Sequence, residues 1–300
     1  MIGSNRITSS ATTDNGPVSG SNTRYLLLGA SGMLGRAWHE LLLEKQLFAL
    51  RPSHSQLDLT NRDSIGSGVT ADIDVVINCA AWTDVDGAET SEVAATNING
   101  VGVGWLAERC RDVNATLVHY STDYVFNGNA TSPYTTGHEI EPLNAYGRSK
   151  AHGERAIVES GCDHLTIRSS WLYAPWGKNF VTTIAGLAKE RPSLEVVADQ
   201  RGRPTSVEAL ARASLALKHS GARGIFHVTD DGECSWYDFA TPIGAFVNPE
   251  CRVTPCDSAQ YPRPALRPSY SVLDLGETEA RIGKLRPWQE NLKQVLNRLA

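Results

Sequence analysis

No run of apolar residues in this 300-residue chain approaches the roughly 18 that a membrane-spanning helix needs. The N-terminus lacks a continuous apolar segment, which argues against a secretory signal peptide. Positive charge is in deficit: the formal net charge is -5 and the pI about 5.9. A basic nucleic-acid footprint and a polybasic membrane surface are therefore not expected. The six cysteines, at positions 79, 110, 162, 234, 251 and 256, form no CxxC pair and no Cys/His cluster of zinc-finger spacing. Reduced, buried thiols in a cytoplasmic protein are expected, with no metal, and a Cys251–Cys256 disulfide stays open as an alternative. There is no internal repeat. Apolar residues are 41% and charged residues 20%, which excludes a wholly disordered, collagen-like or coiled-coil chain. At roughly 150 residues per domain, the length suits two domains.

Residues 1–22 stand apart. Fourteen of them are Ser, Thr, Asn or Gly. Such a segment buries too little apolar surface to offset its ordering entropy, and a flexible tail is expected. From Thr23 short apolar runs alternate with helical patterns. The runs are Tyr25–Leu28, Leu47–Leu50, Val75–Ile77, Ala115–Val118 and Leu165–Ile167; the helical patterns cover about 33–43, 92–111 and 143–159. This alternation predicts an α/β fold with a Rossmann-like, doubly wound parallel sheet over 23–170. After about residue 170 prolines break the chain, and helical patterns survive at about 206–219, 235–246 and 287–299. A smaller C-terminal α/β substrate domain is expected over 171–300, with some segments returning to the first domain.

Gly29-Ala-Ser-Gly32-Met33-Leu34-Gly35 follows the first strand pattern and opens the first helical one. In that context GxxGxxG is a dinucleotide loop. The first glycine permits the turn, the second a close approach to pyrophosphate, and the third tight helix–sheet packing. Met33 and Leu34 fall in the helix's first turn, where free N–H groups favour phosphate. Some twenty residues on, where an acidic residue would bind a ribose hydroxyl, Arg51 stands instead. A guanidinium fork suits a 2′-phosphate, so NADPH is the predicted cofactor, with NADH as the alternative. Asp58 can accept from an adenine amino group or cap a helix, and Leu59 can pack the ring. Ala80-Ala81-Trp82-Thr83 lies at the end of a further strand pattern, where small residues suit cofactor approach.

Tyr146-Gly-Arg-Ser-Lys150 is YxxxK in a helical pattern, which puts both side chains on one face. A lysine beside a phenol is expected to depress the phenol's pKa, making Tyr146 a proton donor, while Lys150 donates to cofactor ribose hydroxyls. Ser121-Thr122-Asp123 leaves a strand at its carboxyl end, where Thr122 can align a substrate carbonyl.

These residues resemble the extended short-chain dehydrogenase/reductases, and within them the dTDP-4-dehydrorhamnose reductases. The resemblance runs from about 24 to 296. It is carried by Asn78–Glu89, Ser121–Phe126, Tyr146–Glu154, Arg168–Tyr173, Gly177–Phe180, Asp199–Thr205, Ser235–Ala240 and Arg267–Asp274. It implies reduction of the 4-keto group of dTDP-4-dehydro-L-rhamnose to dTDP-L-rhamnose, in nucleotide-sugar biosynthesis. By the same resemblance Tyr146 is the acid and Lys150 tunes it. Thr122 and Asp123 sit beside it, and Trp171, Asn179, Arg203 and Arg267 contact the dTDP-sugar. Acidic residues that help some members bind an interface Mg²⁺ correspond here to Ala37 and Gln289, leaving only Glu208. A monomer or weak homodimer is therefore expected. Trp82 stands where Tyr or His is usual. A reductase of another nucleotide 4-keto-6-deoxysugar remains open, as does a non-catalytic subunit of the kind that regulates methionine adenosyltransferase.

Overall fold

Every residue of the first strand, β1 (Tyr25–Leu28), is buried. Tyr25 and Leu27 enter one apolar layer, Leu26 and Leu28 the opposite one. Both faces of the sheet are therefore covered, as a continuous apolar run in a parallel sheet requires. The computed structural model describes residues 23–299; the segment 1–22, read above as a flexible tail, lies outside the described residues.

The chain continues through α1 (Met33–Glu44), β2 (Ala49–Leu50), β3 (Val75–Asn78), α2 (Gly102–Asp112), β4 (Thr116–Thr122), α3 (Ala145–Ser160) and β5 (His164–Ser169). Then come α4 (Phe180–Glu190), α5 (Val207–His219), β6 (Gly224–His227), α6 (Trp236–Val247) and α7 (Trp288–Asn297). The six strands form one parallel sheet in the order β2-β1-β3-β4-β5-β6. The fold is the doubly wound α/β class. From β1 the chain goes outward to β2, then crosses to β3 on the other side. The connections leaving β1 and β3 thus diverge, and a crevice opens at that switch point.

One layer sets Trp38, Leu41 and Leu42 of α1 with Leu210, Ala211 and Leu215 of α5. The other holds Ile65, Val103, Leu106 and Ile157. The helical pattern over 92–111 is broken: Glu92–Thr96 passes into a π-helical turn, Asn97–Val101, before α2. Asn99 in that turn is buried. It accepts from the Trp82 amide (2.9 Å) and donates to the Trp82 carbonyl (3.0 Å) and to Ser149 Oγ (2.9 Å). The loop after β3 is thereby tied to α3.

Helices α4, α6 and α7 share a separate core of Val181, Ile184, Phe239, Ile243, Leu292 and Val295. A parallel ladder between Ser193–Val197 and Arg252–Cys256 completes it. After Ser169 the chain returns to the sheet as α5 against α1, as β6 beside β5, and as the helix Gly276–Ile282, whose Thr278 hydroxyl donates to the His227 carbonyl. Among the described residues no helix is long and apolar enough to cross a membrane. All six cysteines are free, so the Cys251–Cys256 disulfide alternative is not what the structure contains.

Candidate active site

The glycine loop lies at the switch point. Gly29 has φ +70°, and a Cβ there would come within 2.6 Å of the Ala80 amide. A side chain on Gly35 would collide with the Gly29 carbonyl. The loop is thus folded against the β3 end by backbone approach alone. Gly32 is the N-cap of α1, with no side-chain cap and no acidic residue in the first turn. The orphan amides and positive dipole end are left for an anion.

Two cavities share this loop. One, about 660 Å³, is lined by Gly29, Ser31, Arg51, Asp58, Leu59, Ala80 and Ala81 among others. The second, about 740 Å³, shares Gly29, Ser31, Ala80 and Ala81 and adds Gly32, Met33, Leu34, Thr83, Thr122, Asp123, Tyr146, Trp171 and Asn179. The helix-cap alternative for Asp58 does not hold. Asn61 caps the next helix through the Asp63 and Ser64 amides, and Asp58 accepts from the Thr60 amide and hydroxyl. Trp82 is a correction: it is not in either cavity wall. Its indole donates to the Asp84 carbonyl (2.8 Å) and packs with Ala88, Ala95 and Ala145 beside Tyr146. Its indole thus meets the site through its packing beside Tyr146, while its backbone lies between the lining residues Ala81 and Thr83.

Asn144 caps α3 through the Gly147 amide (2.7 Å) and donates to the Leu266 carbonyl (2.8 Å). The cap presents Tyr146, in the first turn, to the second cavity. Burial, then the Asp123 carboxylate, hold its phenol above the ordinary value; a hydrogen bond with Thr122 opposes them. This corrects the expectation that Lys150 depresses the phenol. The Lys150 ammonium is directed elsewhere. It is 2% exposed, is not in the wall of either cavity, and lies 3.3 Å from His119 Nε2. Burial lowers its pKa to about 8. His119 Nδ1 in turn meets Asn78 Nδ2 at 3.2 Å, and Asn78 Oδ1 accepts the Ala80 amide at 3.1 Å. Asp123 accepts from Ser271 Oγ (2.6 Å) and Thr122 Oγ1 (3.0 Å), and burial raises it to about 6.

Sequence reasoning missed His119, Asn78 and Trp236. Trp171 stacks on Trp236 with ring centroids 3.5 Å apart and planes 10° apart. Its φ of +50° is a left-handed conformation costing about 1–2 kcal/mol. Both indoles line the second cavity. Trp236 also borders a third, of about 310 Å³, with Tyr124 and Arg267. Arg267 pairs with Asp86 at 2.7 Å, half-buried at this third cavity. The Asn179 amide is engaged: its Oδ1 caps α4 at Thr182, and its Nδ2 donates to the Ala174 and Trp176 carbonyls. Asn179 therefore shapes the wall rather than offering a free donor. Arg203 is not brought to any of the three cavities; it pairs with Asp231 at 3.3 Å. Of the positions implied for a metal, Ala37 is buried in the core, Glu208 pairs with Arg298, and Gln289 is exposed.

A tyrosine presented to the cleft beside a glycine loop, one helical turn before a lysine, places this chain among the short-chain dehydrogenase/reductases, the class its resemblance implied. The family model described as RmlD substrate binding domain matches residues 23–300. The dTDP-4-dehydrorhamnose reductase of Mycolicibacterium smegmatis is 40% identical over 281 residues, 91% of this chain and 85% of the relative. A probable dTDP-4,6-dihydroxy-2-methyloxan-3-one 4-ketoreductase of Streptomyces antibioticus is 38% identical over 91% of this chain and 94% of its own. Among solved structures, dTDP-4-dehydrorhamnose reductase from Bacillus anthracis in complex with NADP superposes with a TM-score of 0.88. It is 35% identical, covering 92% of this chain and 99% of that one. The chain belongs to the dTDP-4-dehydrorhamnose reductase family.

Proposed function

We propose that this chain reduces the 4-keto group of dTDP-4-dehydro-L-rhamnose to dTDP-L-rhamnose with NADPH. The observation that carries the reading is Tyr146, which shares one cavity with the glycine loop and the Trp171–Trp236 stack. The cradle fits a dinucleotide, because the glycine backbones approach where a Cβ would collide and the helix N-terminus is free of acid. Gly29, Gly32, Met33, Leu34, Arg51, Asp58, Leu59, Ala80, Ala81 and Thr83 would hold NADPH; when bound, it supplies a hydride.

The protein's own residues handle the proton. Negative charge builds on the sugar oxygen as the carbonyl is reduced, and Tyr146 protonates it. An alkoxide is a stronger base than a phenolate. A buried phenol that keeps its proton through the neutral range is therefore a competent donor without a depressed pKa. Thr122 aligns the oxygen by hydrogen bonding. Lys150, one helical turn on and directed at His119 rather than at the phenol, contributes its charge to the site at longer range. The unit built on α4, α6 and α7 carries Trp236, which with Trp171 packs the sugar nucleotide and excludes water. We assign Arg267, at the third cavity, to the diphosphate on the resemblance alone; to meet it, the guanidinium would have to share or release its pairing with Asp86. The absence of acidic side chains at Ala37 and Gln289 supports a monomer or weak homodimer rather than a metal-bridged pair, and we place its work in the cytoplasm.

The test is NADPH oxidation, followed by absorbance, with dTDP-4-dehydro-L-rhamnose. Tyr146→Phe is expected to lower kcat by roughly 100-fold or more while cofactor binding persists. An unchanged kcat removes Tyr146 from the mechanism. The similarity to the S. antibioticus 4-ketoreductase favours a second reading, another dTDP-4-keto-6-deoxysugar. Preferential turnover of such a sugar would replace the rhamnose assignment.

A further inference from the structure

We propose that His39 is a positioning residue for cofactor choice: it holds the Arg51 guanidinium at the wall of the first cavity, where it selects a ribose bearing a 2′-phosphate. The inference rests on the NADPH reading above and deepens it.

The ring of His39 projects from α1, half-buried, and its Nε2 lies 2.7 Å from Arg51 Nη1. A guanidinium has donors only. The imidazole must therefore accept through Nε2, which makes it neutral with its single proton on Nδ1. The charged groups facing the ring are Arg51, from the chain after β2, and Glu40, from its own helix. Burial, then Arg51, hold the ring below its ordinary pKa, with Glu40 opposing. The acceptor is thus present at neutral pH. Glu40 itself pairs with Arg36 at 2.9 Å.

The choice of a neutral partner matters. Among the described residues no carboxylate pairs with Arg51. A carboxylate would restrain the side chain equally well but cancel its charge toward an incoming phosphate. A neutral imidazole restrains it and leaves the charge free. Arg51 directly follows a two-residue edge strand and, without a partner, would sample many rotamers. Fixing it before the ligand arrives removes part of the ordering cost of binding.

The experiment compares kcat and KM for NADPH and NADH in the wild type, His39→Leu, His39→Gln and Arg51→Leu. Arg51→Leu should abolish the preference for NADPH. His39→Leu should lower the NADPH-to-NADH ratio of kcat/KM about 5-fold, through KM rather than kcat. His39→Gln, whose side-chain carbonyl accepts, should restore it. As pH falls through the ring's lowered titration range, the wild type should lose preference faster than His39→Gln, because a protonated ring loses its acceptor and repels Arg51. The 2′-phosphate titrates alike in both, so the difference belongs to His39. An unchanged ratio in His39→Leu, or an equal loss with both cofactors, overturns the proposal. A preference that survives Arg51→Leu overturns the Arg51 reading itself, which keeps the two failures apart.

Discussion

Lys150 meets its surroundings through one hydrogen-bond chain, and the direction of that chain constrains its proton. Asn78 Oδ1 is taken by the Ala80 amide, so Nδ2 is what faces His119 Nδ1. That puts the ring's proton on Nε2, facing Lys150 Nζ at 3.3 Å. With an ammonium, donor meets donor; with a neutral amine, Nε2–H is accepted. This agrees with burial drawing Lys150 down to about 8. Because the value is lowered, the charge that assists Tyr146 is present below pH 8 and lost above it. Turnover should therefore show an alkaline limb near pH 8. Asn78→Asp keeps an acceptor for Ala80 but accepts Nδ1–H, handing the Nε2 lone pair to the ammonium. The limb should then move up by about one pH unit; a pH profile that stays in place refutes the chain. Tyr146 and Lys150 were legible because a four-residue spacing in one helix is visible in sequence. Asn78 and His119 carry no such spacing. They lie on different strands and meet only when β3 pairs with β4 in a register that sets them opposite. Trp236 was hidden likewise, since its partner Trp171 is remote in the chain and found only by folding.

At the scale of elements, the glycine loop shows which of two opposed effects dominates. Alanine is preferred over glycine inside a helix by about 1 kcal/mol. At Gly186, in α4, a Cβ meets nothing within 4 Å, so Gly186→Ala should raise stability by up to that amount. At Gly35 the same change drives a methyl into the Gly29 and Ala30 backbone, which cannot yield as a side-chain tip can. Gly35→Ala should lower Tm and abolish the Tm increase that NADPH gives, whereas Gly186→Ala should retain it; thermal melts with and without cofactor decide. The loop was readable because steric need leaves glycine as its signature. Strand–helix alternation was readable because both faces of a parallel sheet demand apolar runs. The two-residue ladders at Arg201–Gly202 and Cys234–Ser235 were not, because so short a pairing has no periodicity. Nor was the π-helical turn, whose extra residue interrupts a pattern that still looks helical.

For the molecule as a whole, a buried carboxyl joins parts that local patterns treat separately. Asp230 accepts from the Tyr173 hydroxyl (2.8 Å), the Ser206 amide (3.1 Å) and Asn291 Nδ2 (2.7 Å). It thereby ties the strand after β5, the start of α5 and the helix α7 to the end of β6. Sequence could not assign it this place, because its partners come from three distant segments. Burial raises its pKa to about 7 from an ordinary 3.8. Between those values the unfolded chain has released the proton and the folded chain retains it. Stability from this group is therefore largest at low pH and declines as pH rises through the window, by up to about 1.4 kcal/mol per unit. Asp123, raised to about 6, acts in the same direction. The depressed surface carboxylates Asp86 and Glu92 act oppositely, but only in the acid range and under solvent screening. Asp230→Asn copies the protonated form and removes one titration while leaving the others. The difference in urea-unfolding free energy, wild type minus Asp230→Asn, should fall steadily from pH 4 to pH 7 and then level. Any fixed loss from the amide facing donors shifts that curve without changing its slope. A difference independent of pH would mean that Asp230 is ionised throughout, and that its three hydrogen bonds compensate fully for its burial.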